Sequence, residues 1–434
     1  MIRTGSNAIT CDVAVIGGGP AGMMAAGTAA RNGADTLLLE KNSRLGRKLM
    51  VTGKGRCNIT NADPDPQSFL DRFGKKGRHL HSALHSFGVE DIMNFFTERG
   101  LPLTVERGNR VFPETGGAAG VLRTLREFLR ETGVRVKQGC EIRDMIRDNN
   151  HIRAISAGGD AVEAGCYILC TGGLSYPATG STGAGLDFAR GLGHTVVPPR
   201  PSLVPVVLRD EWAGELEGLS LRNVTVGLFR NGRKEAEEFG EALFTSNGMS
   251  GPVILDLSRK IGELPPGRLE LAVDLKPALD HGAMEARVRR DFSGHPTRQY
   301  KNSLGRLLPA SLIPVIVRLS GVDPRKGVSH ITRDEMNRIV RLLKDLRAKV
   351  AGLEGFDKAI ITAGGVCLDD IDTRTMRSRL IDNLFFAGEI IDIDGPTGGF
   401  NLQICWSTGY CAGRAVAMHA ASRSSGTHQR ENKE

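Results

Sequence analysis

Three glycines at a fixed spacing carry the first chemistry that the chain offers. Gly17, Gly19 and Gly22 satisfy G-x-G-x-x-G within Gly17-Gly-Gly-Pro-Ala-Gly22. In that pattern the first glycine makes a tight turn, the second lets backbone approach a pyrophosphate, and the third lets a helix pack on a strand. Pro20 and Ala21 open a helix whose free N–H groups favour phosphate. Glu40 closes the next apolar run, where a carboxylate accepts ribose hydroxyls and repels the 2′-phosphate of NADP. A bound dinucleotide is predicted, and this turn leaves NAD and FAD open. The far end of the chain decides for FAD. Leu384-Phe-Phe-Ala-Gly388-Glu389 runs an apolar strand into a glycine and an acid suited to a ribityl chain. The segment from Gly395 to Leu402 then leads into a predicted helix, 403–419. N–H groups at its start would stabilise negative charge on the flavin's pyrimidine edge.

Candidates for the reacting site are fewer. Cys57 sits in Gly55-Arg-Cys-Asn58 with Lys54 and Arg56 alongside. These cations would lower its thiol pKa and make it reactive, or let it donate a proton. The alternative is a small packed residue in a loop that wraps the cofactor. Arg56 and Asn58 are expected to bind flavin or substrate, and His194 reads as structural, at a domain hinge. Two clusters mix cations with an aromatic: Arg72-Phe-Gly-Lys-Lys-Gly-Arg-His79, and Arg287, Arg289, Arg290, His295, Arg298, Tyr300 and Lys301. Each could hold phosphates and stack a base, or be a solvated helix face.

The elements that must position these residues follow from pattern. Strand 11–16, a helix from Pro20 to Arg31 and strand 35–40 make the first βαβ unit of a doubly wound sheet. Residues 44–61 read as a loop; helices are predicted near 68–72, 89–99 and 118–131, then short strands ending at Cys170. Proline-punctuated strands from about 196, including 221–229 and 269–274, suggest a small antiparallel domain. After Pro277 the pattern turns helical, with a capping box at Thr332 and Glu335. The predicted organisation is an FAD-binding domain in two parts, 1–195 and 356–420. Between them lie a β domain, 196–277, and a helical insert, 278–355, which could return a strand to it. A disordered tail, 421–434, follows.

With 434 residues and 40% hydrophobic composition, the chain is long enough for such domains and lacks an 18-residue apolar run. No signal peptide is expected. Eight scattered cysteines without a C-x2-C pair predict reduced thiols in a cytoplasmic protein and no metal site. The net charge of +8 predicts attraction to polyanions.

The sequence resembles the BaiN/YhiN-like family of FAD-dependent oxidoreductases (members are also described as aminoacetone oxidase-type) nearly end to end. The segments that carry the resemblance are 12–22, Gly46 to Asn61, Arg110-Val-Phe-Pro113, Cys170-Thr-Gly-Gly173, Pro201 to Pro205, Ser250-Gly-Pro252 and Gly388 to Gly413. It implies a discontinuous Rossmann-type FAD domain with an inserted antiparallel β-barrel-like domain and a small helical one. It also implies that Lys41, Arg47 and Lys48 join Gly17, Gly19, Gly22 and Glu40 around the ADP half, with the Val136 backbone facing adenine. Gly172 and Gly173 would pass the pyrophosphate or ribityl chain. Gly388, Glu389, Asp392, Gly398, Gly399, Asn401 and Leu402 would surround the ribityl and isoalloxazine. One departure is Ser246, where the family carries His after Phe-Thr, so any role of that His is vacant here. The resemblance implies NAD(P)H as transient donor and reduction of an activated C=C bond. The basic balance favours a uracil of ribosomal RNA, reduced to dihydrouridine. The alternatives are a small-molecule reductase or oxidase, acting on a dehydro-steroid, bile acid or amine, and a non-catalytic flavin-carrying RNA-binding factor. Oligomeric state stays open.

Overall fold

The computed structural model describes the backbone of residues 8–431 and the side chains of 8–420. The chain divides into two units, Met1–Pro201 with Ala359–Glu434, and Ser202–Lys358. The unit boundaries fall six and three residues beyond the expected 195/196 and 355/356 divisions.

The first unit is built on a mostly parallel sheet. Strand β1 (Ile9–Ile16) lies between β2 (Thr36–Leu39) and strand Asp160–Leu169, all parallel, with Val13 opposite both Thr36 and Cys166. Strand Arg135–Lys137 continues the sheet beyond β2, and Leu384–Phe386 continues it beyond Asp160–Leu169. Val13, Ala14, Val15 and Ile16 are buried together, as in a parallel strand covered on both faces. Helix α1 (Pro20–Arg31) crosses from β1 to β2 and is almost wholly buried. It owes its close packing to small side chains: a Cβ on Gly27 would lie 2.2 Å from the Phe128 ring.

The C-terminal helix is Phe400–Glu431, longer at both ends than the predicted 403–419. It overlaps the expected disordered tail, of which 432–434 lie outside the described residues. A Cβ on Gly409 would stand 2.5 Å from the Ala21 carbonyl oxygen, and one on Gly413 2.3 Å from that of Ala25. The two helices therefore run in the same direction, backbone against backbone. Because Gly409 lies much further into its helix than Ala21 does, the C-terminal helix begins about 12 Å ahead of α1.

The second unit is a closed antiparallel barrel with helices. Its strand order is Val206–Leu208, Gly248–Ser250, Arg233–Thr245, Ser220–Arg230, Leu269–Asp274 and Leu346–Leu353. The last strand follows the helical segment and closes the barrel onto Val206–Leu208. Thr332 and Glu335 form the reciprocal cap, with the Glu335 N–H donating to the Thr332 hydroxyl at 3.3 Å and the Thr332 N–H to Glu335 at 2.8 Å. One core cluster runs through barrel and helices, from Val226 and Leu271 to Ile316 and Leu343. Ser246 lies in the exposed turn after strand Arg233–Thr245.

Candidate cofactor and active site

The glycine turn is held together by clashes that only glycine avoids. Gly17 has φ +107°, and a Cβ there would sit 2.5 Å from the Cys170 carbonyl oxygen. At Gly22 a Cβ would be 1.8 Å from the Gly17 carbonyl oxygen, so the helix could not approach its own turn. Gly19, the cap of α1, differs: a Cβ there meets nothing within 4 Å. Its small size serves what the turn faces, and this is the position where a pyrophosphate approaches in the motif. Pro20 then contributes no N–H at the first helical position, where it would go unpaired.

Glu40 is buried and clamps this turn. Its carboxylate accepts from the Gly18 N–H at 2.7 Å and from both the backbone and side-chain N–H groups of Asn42 at 2.7 Å. A carboxylate offers about four acceptor positions, so capacity remains for a ribose hydroxyl. Around it, the Lys41 ammonium donates to Thr182 at 2.8 Å and Arg47 to the Asn42 side-chain oxygen at 2.8 Å. Val136 lies on the outermost strand of the sheet, 40% exposed.

A second group joins residues far apart in sequence. The Lys48 ammonium donates to Glu389 at 2.6 Å and to the Ser175 hydroxyl at 2.5 Å, while Ser175 and the Thr362 N–H donate to the other Glu389 oxygen at 2.7 and 2.8 Å. Glu389 is thus fixed by three protein donors. Gly173 abuts this group, since a Cβ there would lie 2.4 Å from the Thr362 hydroxyl. Gly172, at φ +72°, passes Ser181, and Gly388, at φ +79°, lets the chain pass Ala21. Ser175 and Thr362 escaped sequence reasoning because single hydroxyl residues carry no spacing signal. Asn42 and Asn61, single amides without a spacing pattern, escaped likewise.

The start of the C-terminal helix is a built loop. Gly398 and Gly399 have φ of +114° and +103°, and a Cβ on Gly399 would lie 2.3 Å from the Thr60 carbonyl oxygen. Asn401 bridges the loop, accepting from the Gly395 N–H at 2.8 Å and donating to the Gly395 and Pro396 carbonyls. Asn61 donates to the Gly398 carbonyl, and Asp392 takes the Lys76 ammonium at 2.6 Å. Leu402 is half-buried in the first turn.

Cys57 requires a correction. Lys54 and Arg56 were expected to lower its pKa; instead the side chain is 0% exposed and burial pushes the thiol up to about 12, with the Thr52 hydrogen bond acting weakly the other way. The loop's left-handed backbone at Lys54 and Cys57 turns Cys57 inward and sends the cations outward. Arg56 stacks on the Phe112 ring at 4.1 Å and pairs with Glu106. Asn58 follows with its side-chain oxygen buried and without a hydrogen-bond partner, as is the Thr171 hydroxyl in the Cys170–Gly173 segment.

Both mixed clusters lose their aromatic. Phe73 and Tyr300 are buried in cores and cannot stack a base. Arg287 and Arg289 are tied to Asp291 and Glu285 along their own helix. His194 is buried, with the Ser378 hydroxyl 2.7 Å from Nε2.

The described geometry fits FAD on three observations: the open cradle at Gly19, the unpaired buried oxygens of Asn58 and Thr171, and two helix N-termini facing one way. The first terminus suits a pyrophosphate. The second, about 12 Å ahead, suits the electron-rich edge of a reduced ring.

The profile of the HI0933-like protein Rossmann domain matches residues 11–415. The 3-dehydro-bile acid delta(4,6)-reductase of Clostridium scindens is 32% identical, over 93% of this chain and 98% of its own. The ribosomal RNA dihydrouridine synthase of Escherichia coli K12 is 28% identical, over 94% of this chain and 99% of its own. Among solved structures, a 3-ketosteroid-delta4-(5alpha)-dehydrogenase from Rhodococcus jostii RHA1 superposes with a TM-score of 0.55 at 17% identity, covering 96% of this chain and 98% of its own. That likeness is one of fold. No helix among the described residues is long and apolar enough to cross a membrane. The chain belongs to the HI0933-like Rossmann family and is an FAD-dependent oxidoreductase.

Proposed function

We propose that this protein reduces a C=C bond conjugated to a carbonyl, with a uracil base of ribosomal RNA as substrate and NAD(P)H as electron donor. When bound, FAD would supply two-electron hydride chemistry between a dihydronicotinamide and the conjugated alkene, and one proton would be needed at the carbon α to the carbonyl. The chain's own residues do the rest. The N-terminus of α1 and the Glu40 clamp hold the dinucleotide's phosphate and ribose. The Lys48–Glu389 pair, with Ser175 and Thr362, fixes the segment that meets the ribityl chain. The first turn of the C-terminal helix offers N–H groups to the pyrimidine edge, where negative charge develops on reduction. Cys57 packs in the core of the loop that carries Asn58, and the proton comes from solvent.

The observation that carries the RNA reading is where the charge lies. Residues 278–355 hold 15 Lys and Arg against 8 Asp and Glu, whereas 202–277 hold 9 against 12. Arg290, Arg298, Lys301, Arg306, Arg325 and Arg341 are exposed and have no carboxylate within 4 Å among the described residues. Free cations of this kind bind phosphates without reading sequence. The test compares dihydrouridine in ribosomal RNA from cells with and without the gene. Equal content in both would end the RNA reading. A small-molecule enone is the second reading, favoured by the full-length 32% identity to the bile acid reductase. It predicts turnover of a dehydro-steroid insensitive to salt.

A further inference from the structure

We propose that a groove beside the flavin-edge loop binds the 2′-phosphorylated adenosine of the nicotinamide donor, and so makes NADPH the preferred reductant; this rests on the donor named in the proposed function. The groove measures about 520 Å³ and is lined by Gln67, Asp71, Gly74, Lys75, Arg78 and His81. That volume suits one nucleotide moiety.

The groove is fastened to the flavin-edge loop. Lys76, next to Lys75, donates to Asp392 at 2.6 Å. Phe73, next to Gly74, packs so closely on Gly395 that a Cβ there would lie 2.5 Å from its ring, and its ring centroid is 6.1 Å from that of Phe400. The groove and the loop that leads into the C-terminal helix are therefore direct neighbours within one unit.

The lining chemistry matches a phosphomonoester on a ribose. Lys75 and Arg78 are exposed and have no carboxylate partner within 4 Å among the described residues. Arg78 adds a planar fork suited to a phosphate dianion. Asp71 accepts from the Gln67 amide at 2.8 Å and is the one carboxylate of the lining, set against the two cations Lys75 and Arg78. Gly74, at φ +57°, would carry a Cβ that meets nothing within 4 Å. The first dinucleotide site cannot serve this end, because the buried Glu40 carboxylate repels a 2′-phosphate, and no second G-x-G-x-x-G turn preceded by a strand follows residue 41. An RNA strand suits the groove less well, since its lining holds no Phe, Tyr or Trp on which a base could stack.

The experiment uses the FAD-loaded protein and the double variant Lys75→Gln/Arg78→Gln, whose exposed positions leave the fold intact. Calorimetry with 2′,5′-ADP and 5′-AMP should show at least tenfold tighter binding of the former to the wild type, and the variant should lose that margin. In anaerobic stopped flow, the NADPH concentration for half-maximal bleaching should rise at least tenfold in the variant, with the limiting rate and the NADH response unchanged. Equal binding of the two probes by the wild type, or an unchanged NADPH response in the variant, would overturn the assignment. So would a variant that keeps its NADPH response but loses retention of ribosomal RNA. Selective 2′,5′-ADP binding without bleaching by either nucleotide would support the groove and sink the nicotinamide donor of the proposed function, which separates the two failures.

Discussion

Side-chain environment at single positions decides between roles that sequence alone left open, and Cys57 illustrates it. A cysteine flanked by cations promises a thiolate, but the cations point to solvent and the sulfur into the core. Cys57→Ser, nearly isosteric, is therefore expected to leave reoxidation of the reduced enzyme by substrate within about threefold of wild type, since a general acid contributes on the order of a hundredfold or more. A drop of that larger size in single-turnover reoxidation would restore the proton-donor role. Glu389 behaves differently. Its charge answers Lys48 and two further donors, so Glu389→Gln leaves an ammonium without its anion. The expected cost is about 2 kcal/mol of stability, as for other charged hydrogen-bonded pairs, with weaker FAD retention. Denaturant titration together with flavin release on dilution checks both; an unchanged midpoint would mean that Lys48 finds another partner. Glu389 was legible because a strand and a glycine announce it. Ser175 and Thr362, which complete its setting, were not, because their only signal is three-dimensional.

Among elements, the parallel contact between α1 and the C-terminal helix is the feature on which the cofactor site most depends. The Gly409→Ala change would press a Cβ against the Ala21 carbonyl, a backbone atom that cannot move aside. Overpacking of this kind costs about 1–3 kcal/mol. Here it would also shift the second helix N-terminus relative to the first, so FAD affinity should fall more than stability does. Fluorescence titration of apoprotein with FAD reads the former, and thermal unfolding of the apoprotein the latter. The first βαβ unit was legible because G-x-G-x-x-G sits between a buried strand and a small-residue helix. The C-terminal helix was read three residues late at its start, since Gly398 and Gly399 look like loop until their left-handed backbone is seen to end in a helix. His194 links strand Arg377–Ser378 to helix Ala184–Gly191. The Ser378 oxygen already accepts two backbone N–H groups, so its proton goes to Nε2, and Nδ1–H faces the Ala189 carbonyl. Burial holds the His194 pKa below its ordinary value near 6.5. The unfolded chain then takes up this proton first as pH falls, so its contribution to stability is present above about 6.5 and lost on acidification. His194→Gln should lower stability at pH 7.5 yet flatten its fall between pH 6.5 and 5, read from unfolding midpoints at each pH. Parallel slopes in the two proteins would mean that another group titrates.

For the whole molecule, the net charge of +8 is an average over segments that differ in sign. The barrel strands and their turns are slightly acidic, while the helical segment between the fifth and sixth barrel strands holds the excess of cations. Composition could give the total but not the fraction neutralised locally, which is why the sequence cluster around Arg287 shrinks to Arg290, Arg298 and Lys301 once ion pairs are counted. Two stretches of this segment lie side by side: Tyr300 N–H donates to the Lys326 carbonyl, Lys301 N–H to that of Pro324, and Val328 N–H to that of Arg298. This pairing brings the exposed Arg298, Lys301 and Arg325 onto neighbouring strips. Each cation that meets a phosphate adds about 0.7–0.9 to the slope of log affinity against log salt. The triple change to Gln at Arg298, Lys301 and Arg325 should therefore weaken binding of a ribosomal RNA fragment and reduce that slope by about 2 to 3. It should leave the anaerobic reduction of FAD by NADPH untouched, because that half-reaction needs no RNA. Filter binding across a salt series, paired with stopped-flow bleaching of the same samples, makes the comparison. A slope that stays put would place the RNA contacts elsewhere on the chain. A loss of bleaching would instead show that the three cations support the fold of the barrel unit or the donor, and that the charge excess has another origin.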